Sequence, residues 1–164
     1  MGIGGSLHKS DSWSGQWART QRWHRRMKKA AMGEDEDQFF DYAYAFFQNC
    51  FQMRDWLKHS GKVPVSQLNT FMGGHLELKL CRDICNGSKH FTITDPSVDA
   101  DFSLAREYVP RGWPGEQRRG HILFHEVTKT GQKTSKSLQG MNLAELADRC
   151  VKLWQGFLED NQLS

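Results

Sequence analysis

A long stretch of apolar side chains at helical spacing, over about residues 35–59, constrains the fold of this 164-residue chain more than any other feature. Apolar residues three and four positions apart give a helix one broad buried face. That face consists of Phe39, Phe40, Ala43, Phe46, Phe47, Cys50, Met53 and Leu57. Acidic residues at 34–37 favour the start of this helix, and Gly61 favours its end. Asn49 interrupts the apolar face and indicates a buried amide that needs hydrogen-bond partners.

The remaining periodicity predicts further helices and a few strands. Helical spacing is found at about 12–32, 65–72, 75–86 and 142–159, and Asn142 with Glu145 resembles a capping box. Alternating polarity predicts strands at about 91–94, 102–109, 121–128 and 132–138. The sequence thus predicts an α+β fold, mainly a bundle of four to five helices, with a small antiparallel sheet inserted before the C-terminal helix. We expect one globular domain over 12–164 and a flexible Gly/Ser-rich arm over 1–11.

Composition excludes several classes of protein. No apolar run approaches the roughly 18–20 residues of a membrane span, and the first residues lack the apolar core of a signal peptide. We therefore expect a cytoplasmic protein without a membrane partner. The sequence has no Ser-His-Asp arrangement, phosphate-cradling glycine loop, paired-histidine metal helix or nucleotide-fold fingerprint. No cofactor is predicted.

All four cysteines fall on apolar faces of predicted helices. Thiols in such positions are typically reduced and behave as small buried hydrophobes. Cys81 and Cys85, four residues apart, are able to face one metal ion, but no second cysteine pair accompanies them. Cys50 and Cys150 are distant in sequence. Buried free thiols are therefore the favoured interpretation, and no metal site is predicted.

Positive charge is concentrated near the end of the first predicted helix. Arg22, Arg25 and Arg26 lie in a basic cluster over residues 19–29, directly before the acidic residues 34–37. A local interpretation, which we favour, matches each charge run to the dipole of its own helix. The other interpretation is a patch that binds phosphate groups.

Residues 80–90, Leu-Cys-Arg-Asp-Ile-Cys-Asn-Gly-Ser-Lys-His, combine more chemically capable side chains than any other segment. Helical spacing places Asp83, Asn86 and His90 on one stripe. His90 follows a predicted helix end, titrates near neutral pH and has the cationic Arg82 and Lys89 nearby, a combination suited to acid–base chemistry on a phosphodiester. The alternative is a sealed polar network that fixes the end of the helix.

This segment and residues 49–56, Asn-Cys-Phe-Gln-Met-Arg-Asp-Trp, together resemble a group of uncharacterised bacterial proteins of similar size. More distantly, an Arg, a polar residue and a downstream His are similar to the motif of HEPN-type nucleases. That resemblance implies a helical dimer that cleaves RNA without a metal, with Arg82, Asp83 and His90 at the matching positions. The chain departs from the family in three ways: seven residues separate Arg82 from His90, more than the usual four to six, Gly87 is expected to end the helix between them, and a sheet is inserted.

Two functional hypotheses follow. In the first, the protein binds RNA or cleaves it as a HEPN-like ribonuclease: His90 is the general acid–base, and Arg82 and Lys89 contact phosphate. Asp83 or Asn86 then orients His90, and Arg22, Arg25 and Arg26 attract RNA. In the second, a bacterial or phage factor without enzymatic activity docks on a protein partner or on its own copy. Its motivation is a set of tryptophans in weakly periodic segments, since aromatic residues are enriched at interfaces: Trp13, Trp17, Trp23 and Trp113. Whether the protein is an enzyme is left open.

Overall fold

A computed structural model describes residues 12–87, 102–106, 120–124 and 141–163 of the chain. Within these ranges the chain forms five α-helices: α1 (Trp13–Ala31), α2 (Glu36–Ser60), α3 (Val65–Gly74), α4 (Leu76–Gly87) and α5 (Leu143–Asp160). The predicted helices began and ended within two residues of these bounds.

Local chemistry explains where the helices begin and end. Ser12 caps α1 by accepting a hydrogen bond from the Gly15 amide at 3.1 Å. Asp35 caps α2 in the same way, since its carboxylate accepts from the Gln38 amide at 2.9 Å. Gly61 ends α2 in the left-handed conformation, with φ of 65°, which costs glycine little because it has no Cβ. Asn142 caps α5.

Helix α2 is central and contacts the four other helices. Its broad apolar face is buried as expected, with Phe46, Phe47 and Met53 fully excluded from solvent. Aromatic rings connect α3 to α5: Phe71 lies 5.0 Å from Trp154 and stacks on Phe157, with ring centroids 4.2 Å apart. Burial of this apolar surface is the main favourable contribution to folding.

Three short strands lie between α4 and α5 in the sequence: β1 (Phe102–Arg106), β2 (Gly120–Phe124) and β3 (Met141–Asn142). They pair antiparallel in the order β1-β2-β3. Phe102 pairs with Phe124 across the first pair of strands, and His121 pairs with Asn142 across the second.

The predicted α+β class is wrong, because the protein is mainly helical. The helices have 19, 25, 10, 12 and 18 residues, whereas the strands have five, five and two. Among the residues whose side chains are described, those of the hydrophobic core lie on helices, with Val63 between α2 and α3 as the exception. Alternating polarity indicates a local extended conformation, but it does not show how large a share of the fold the strands make up.

Several predictions concern residues outside this description. The arm over 1–11 and the strands predicted at 91–94 and 132–138 lie outside the described residues, as do the ends of those predicted at 102–109 and 121–128. None of the helices in the described part of the chain is long and apolar enough to cross a membrane.

Candidate functional site

Three cysteines from three different helices meet in the core. Cys50 lies on α2, Cys81 on α4 and Cys150 on α5, and their sulfur atoms all lie within 4.8 Å of one another. Each is fully buried, and none of the chain's four cysteines forms a disulfide, which confirms the prediction of buried free thiols. We call Cys50, Cys81 and Cys150 the thiol cluster. Within the described residues no other His, Cys, Asp or Glu ligand atom joins it.

The thiols of the cluster differ in their protonation. The Cys81 sulfur lies 3.4 Å from the Phe47 carbonyl oxygen and the Cys150 sulfur lies 3.5 Å from the Glu77 carbonyl oxygen. Each S–H group therefore has two acceptors within reach, its carbonyl and the Cys50 sulfur. Burial raises the pKa of both thiols well above the usual value, because an apolar environment disfavours the thiolate. Burial acts in the same direction on Cys50, but neighbouring donors on Cys150, Cys81 and Trp154 outweigh it and lower the pKa of Cys50 to about 5. The three thiols therefore titrate as a coupled unit.

The indole of Trp154 borders this cluster. Trp154 is fully buried, and its Nε1 makes no hydrogen bond of acceptable geometry within the described part of the chain. The same N–H is one of the groups that lower the pKa of the Cys50 thiol, because a nearby donor favours the thiolate. A buried donor without a partner costs about 1–3 kcal/mol. A negatively charged ligand set beside Trp154 would recover part of that cost.

The structure distributes the residues of the predicted catalytic stripe over different environments. Asp83 is completely buried, Arg82 and Asn86 are half-buried, and α4 ends at Gly87. Asp83 and Arg82 point in directions about 100° apart because they are neighbours on a helix. Asp83 therefore does not share the solvent-facing side of Arg82. His90 and Lys89 lie outside the described residues.

Arg82 lines an open cleft between α2, α3 and α4. The cleft has a volume of about 380 Å³, and Arg54 and Lys79 line it with Arg82. Arg54 donates to the Asn69 side chain at 2.8 Å and pairs with Asp55 at 3.2 Å, so part of its charge is already neutralised. With three cationic side chains, the cleft is suited to an anion.

A second positive surface lies on α1. Arg22, Arg25, Arg26 and Lys29 follow one another at helical spacing on its exposed side, and we call them the basic stripe. Within the described residues Arg22, Arg25 and Lys29 form no salt bridge. The Arg26 guanidinium instead lies 4.7 Å above the ring centroid of Trp23, a cation–π contact.

The two positive surfaces lie on different sides of α2. On α2, Tyr42, Phe46 and Asn49 face α1, because they contact Trp23, His24 and Gln16 of that helix respectively. The cleft is lined by Phe51 and Arg54 of α2 instead. At about 100° per residue, these two groups of α2 positions face roughly opposite directions. Arg82 and the arginines of the basic stripe, which the sequence assigned to one RNA-binding function, are therefore not brought together.

No family model, curated protein or solved structure matches the chain with significant similarity. The candidate sites consequently rest on the chain's own residues.

The thiol cluster was missed by reasoning from the sequence. The pattern drew attention to Cys81 and Cys85, but the structure groups Cys81 with Cys50 and Cys150. Cys85 is also buried, on the same helix as Cys81, and does not belong to the cluster. The sequence indicated that all four cysteines are buried, because they lie on apolar helix faces, but it did not indicate which three of them come together.

Proposed function

We propose that the protein binds single-stranded RNA along the basic stripe of α1. The observation that carries the proposal is the exposure of Arg22, Arg25 and Lys29 on one side of the helix without an acidic partner in the described part of the chain. Helix α1 has no acidic residue, so the stripe is uniformly positive. Polyanions are attracted by such a surface through the release of bound counterions.

The helix dipole does not account for all of this charge. Its effect is confined to about the last turn of a helix, where Lys28 and Lys29 lie. Lys28 pairs with Asp148 of α5 at 3.1 Å and so has a structural role. Arg22 and Arg25 lie in the middle of α1, where they gain little from the dipole. Their exposed positions support an external partner.

An aromatic ring beside the stripe favours a single strand over a duplex. Trp23 is half-buried, lies 5.6 Å from the Tyr42 ring and carries Arg26 above its face. Bases of a single strand stack on arginine guanidinium planes such as that of Arg26 as well as on aromatic rings, whereas those of a duplex are paired and stacked already. The stripe from Arg22 to Lys29 spans about 10 Å of helix, enough for two or three phosphates.

The test is a salt titration of RNA binding with charge-matched variants. If the stripe contacts three phosphates, log Kd rises with log salt with a slope of about 2.1, and Arg22→Gln/Arg25→Gln, which removes two of these contacts, lowers the slope to about 0.7. Lys58→Gln/Lys62→Gln, which removes two exposed cations far along the chain, is the control and leaves the slope unchanged. Fluorescence anisotropy of a labelled RNA measures Kd, and hence the slope, for the wild type and both double variants. Equal slopes for the two double variants would contradict the proposal.

RNA cleavage at the cleft is a second candidate. The observation that favours it is the position of Arg82 beside Arg54 and Lys79 in an open cleft, where a phosphodiester has access. In this hypothesis His90 is the general acid–base and Lys89 a further phosphate contact, while the buried Asp83 or Asn86 positions His90. The resemblance to HEPN-type nucleases implies that no metal is needed.

Cleavage is tested with purified protein in the presence and absence of EDTA. We expect RNA cleavage that EDTA does not abolish and that both His90→Ala and Arg82→Ala reduce strongly. His59→Ala is the matched control, because His59 is an exposed histidine at the end of α2. Undiminished cleavage by His90→Ala would exclude this mechanism but leave RNA binding by α1 intact.

The interaction-factor hypothesis receives less support from the described tryptophans. Trp13, Trp17 and Trp23 are partly buried and pack against the hydrophobic core. Their number is therefore explained in large part by packing within the chain. Trp113 lies outside the described residues.

A further inference from the structure

We propose that Cys50, Cys81 and Cys150 bind one thiophilic metal cation through three thiolates. The site lies in the core where α2, α4 and α5 meet, and it is independent of the RNA-binding surface proposed above. Thiolate sulfur is a soft ligand that selects ions such as Cu(I) and Zn(II) over hard cations such as Mg(II).

The distances in the cluster suit a metal. For a metal–sulfur bond of about 2.3 Å, three sulfurs in a plane around one ion lie about 4.0 Å apart. The sulfurs already lie within 4.8 Å of one another. Closing the site therefore requires movements of less than about 1 Å, which rotation of the cysteine side chains is able to supply.

The number of ligands favours a three-coordinate ion. Structural Zn(II) sites have four protein ligands, and catalytic ones complete the fourth position with water. The thiol cluster offers three sulfurs within the described residues, and all three are fully buried, away from water. Cu(I) accepts three thiolates without a fourth ligand, so we expect it to bind more tightly than Zn(II).

The surroundings of the cluster support negative sulfurs. Nε1 of Trp154, which has no hydrogen-bond partner among the described residues, supplies a donor beside Cys50, the kind of outer-shell contact that orients and stabilises metal ligands. Binding forms three metal–sulfur bonds. Each thiol that is protonated before binding releases its proton to solvent when its sulfur binds the ion.

The experiment titrates Cu(I) and, separately, Zn(II) into the full chain under anaerobic, reducing conditions against a chromophoric chelator. Because the cluster is closed to solvent, the chain is also refolded from denaturant in the presence of each ion. We expect one Cu(I) per chain. Cys50→Ser, Cys81→Ser and Cys150→Ser each weaken binding by more than about 100-fold, since loss of an outer-shell partner alone costs about 10–100-fold.

Cys85→Ser is the matched control. It removes an equally buried thiol from the same helix as Cys81 but not from the cluster, so it binds Cu(I) like the wild type. If the serine variants do not fold, X-ray absorption of the loaded wild type decides, with three sulfurs at about 2.3 Å expected. If Zn(II) binds through the same three sulfurs and one further ligand, that result also supports the proposed site. Failure of both ions to bind, binding that survives in Cys50→Ser, or a first shell without three sulfurs overturns the proposal.

Discussion

The contact between Gln16 and Asn49 gives a quantitative test of how α1 is held on α2. Gln16 is 1% exposed, and its Nε2 donates to both the carbonyl and the side-chain oxygen of Asn49, at 3.0 and 3.1 Å. Its Oε1 accepts from Arg19 at 2.8 Å. Asn49 in turn donates to the Ala45 carbonyl at 2.7 Å. The two amides thus connect the helices through hydrogen bonds with little access to water.

Replacing either amide by alanine is expected to have unequal effects. Gln16→Ala removes three hydrogen bonds from a buried position, two that Gln16 donates and one that it accepts. At about 1 kcal/mol per hydrogen bond, we expect the free energy of unfolding to fall by about 2–3 kcal/mol. Asn49→Ala leaves the backbone carbonyl of residue 49, so Gln16 keeps its contact at 3.0 Å. The contact to its side-chain oxygen and the donation to the Ala45 carbonyl are both lost, so the expected loss of stability is about 1–2 kcal/mol. Because the residues share a contact, the double variant loses less than the sum, by about 0.5–1 kcal/mol.

Urea unfolding at equilibrium, followed by circular dichroism, measures these differences. Gln155→Ala is the matched control: its amide donates to Glu159 at 3.0 Å on the exposed side of α5, and its removal should change stability by less than about 0.5 kcal/mol. A Gln16→Ala variant as stable as Gln155→Ala, or a strictly additive double variant, would refute the contact as described.

Two further predictions concern titration and backbone conformation. The pKa of Cys50 is lowered from 9.0 to about 5 in the folded protein, so its thiolate contributes stability that is present at high pH and lost as the pH falls from about 9 to 5. The thiolate absorbance of the folded chain should therefore disappear near pH 5, and it should be absent from Cys50→Ser. Gly61→Ala should destabilise the folded protein by about 1 kcal/mol, because φ of 65° strains alanine even though no atom lies within 4 Å of the new Cβ. Gly73→Ala, at an equally open position within α3, should stabilise the protein by about 0.5–1 kcal/mol. Thermal unfolding distinguishes the two, because the melting temperature should fall in the first variant and rise in the second.

The helices could be predicted because their signal is local and repeated. Over 25 residues, α2 repeats its apolar spacing about seven times, and Asp35 and Gly61 mark its ends by chemistry that acts within one turn. The α+β class was wrong because the strands were also predicted from a local signal. Alternation over a few residues indicates an extended conformation but carries no information about how much core a strand covers.

The site was harder to predict because its signals are not local. Asp83 shares a stripe with His90 in the sequence pattern, and yet its burial depends on which elements cover that side of α4. The thiol cluster joins cysteines 31 and 69 positions apart, which only the packing of three helices brings together. Asn49 was recognised as an amide in need of partners, but nothing in the sequence identified Gln16 as one.

Helix α2 separates the two proposed functions physically. Asn49 faces α1, and Cys50, the next residue, faces the thiol cluster about 100° away around the helix. The basic stripe lies on the exposed side of α1, so no residue is shared between the RNA surface and the metal site. Loss of the metal can then weaken RNA binding only by lowering the stability of the fold. If Cys50→Ser weakened RNA binding without lowering the melting temperature, the cluster and the stripe would have to be coupled through a second conformation of α2.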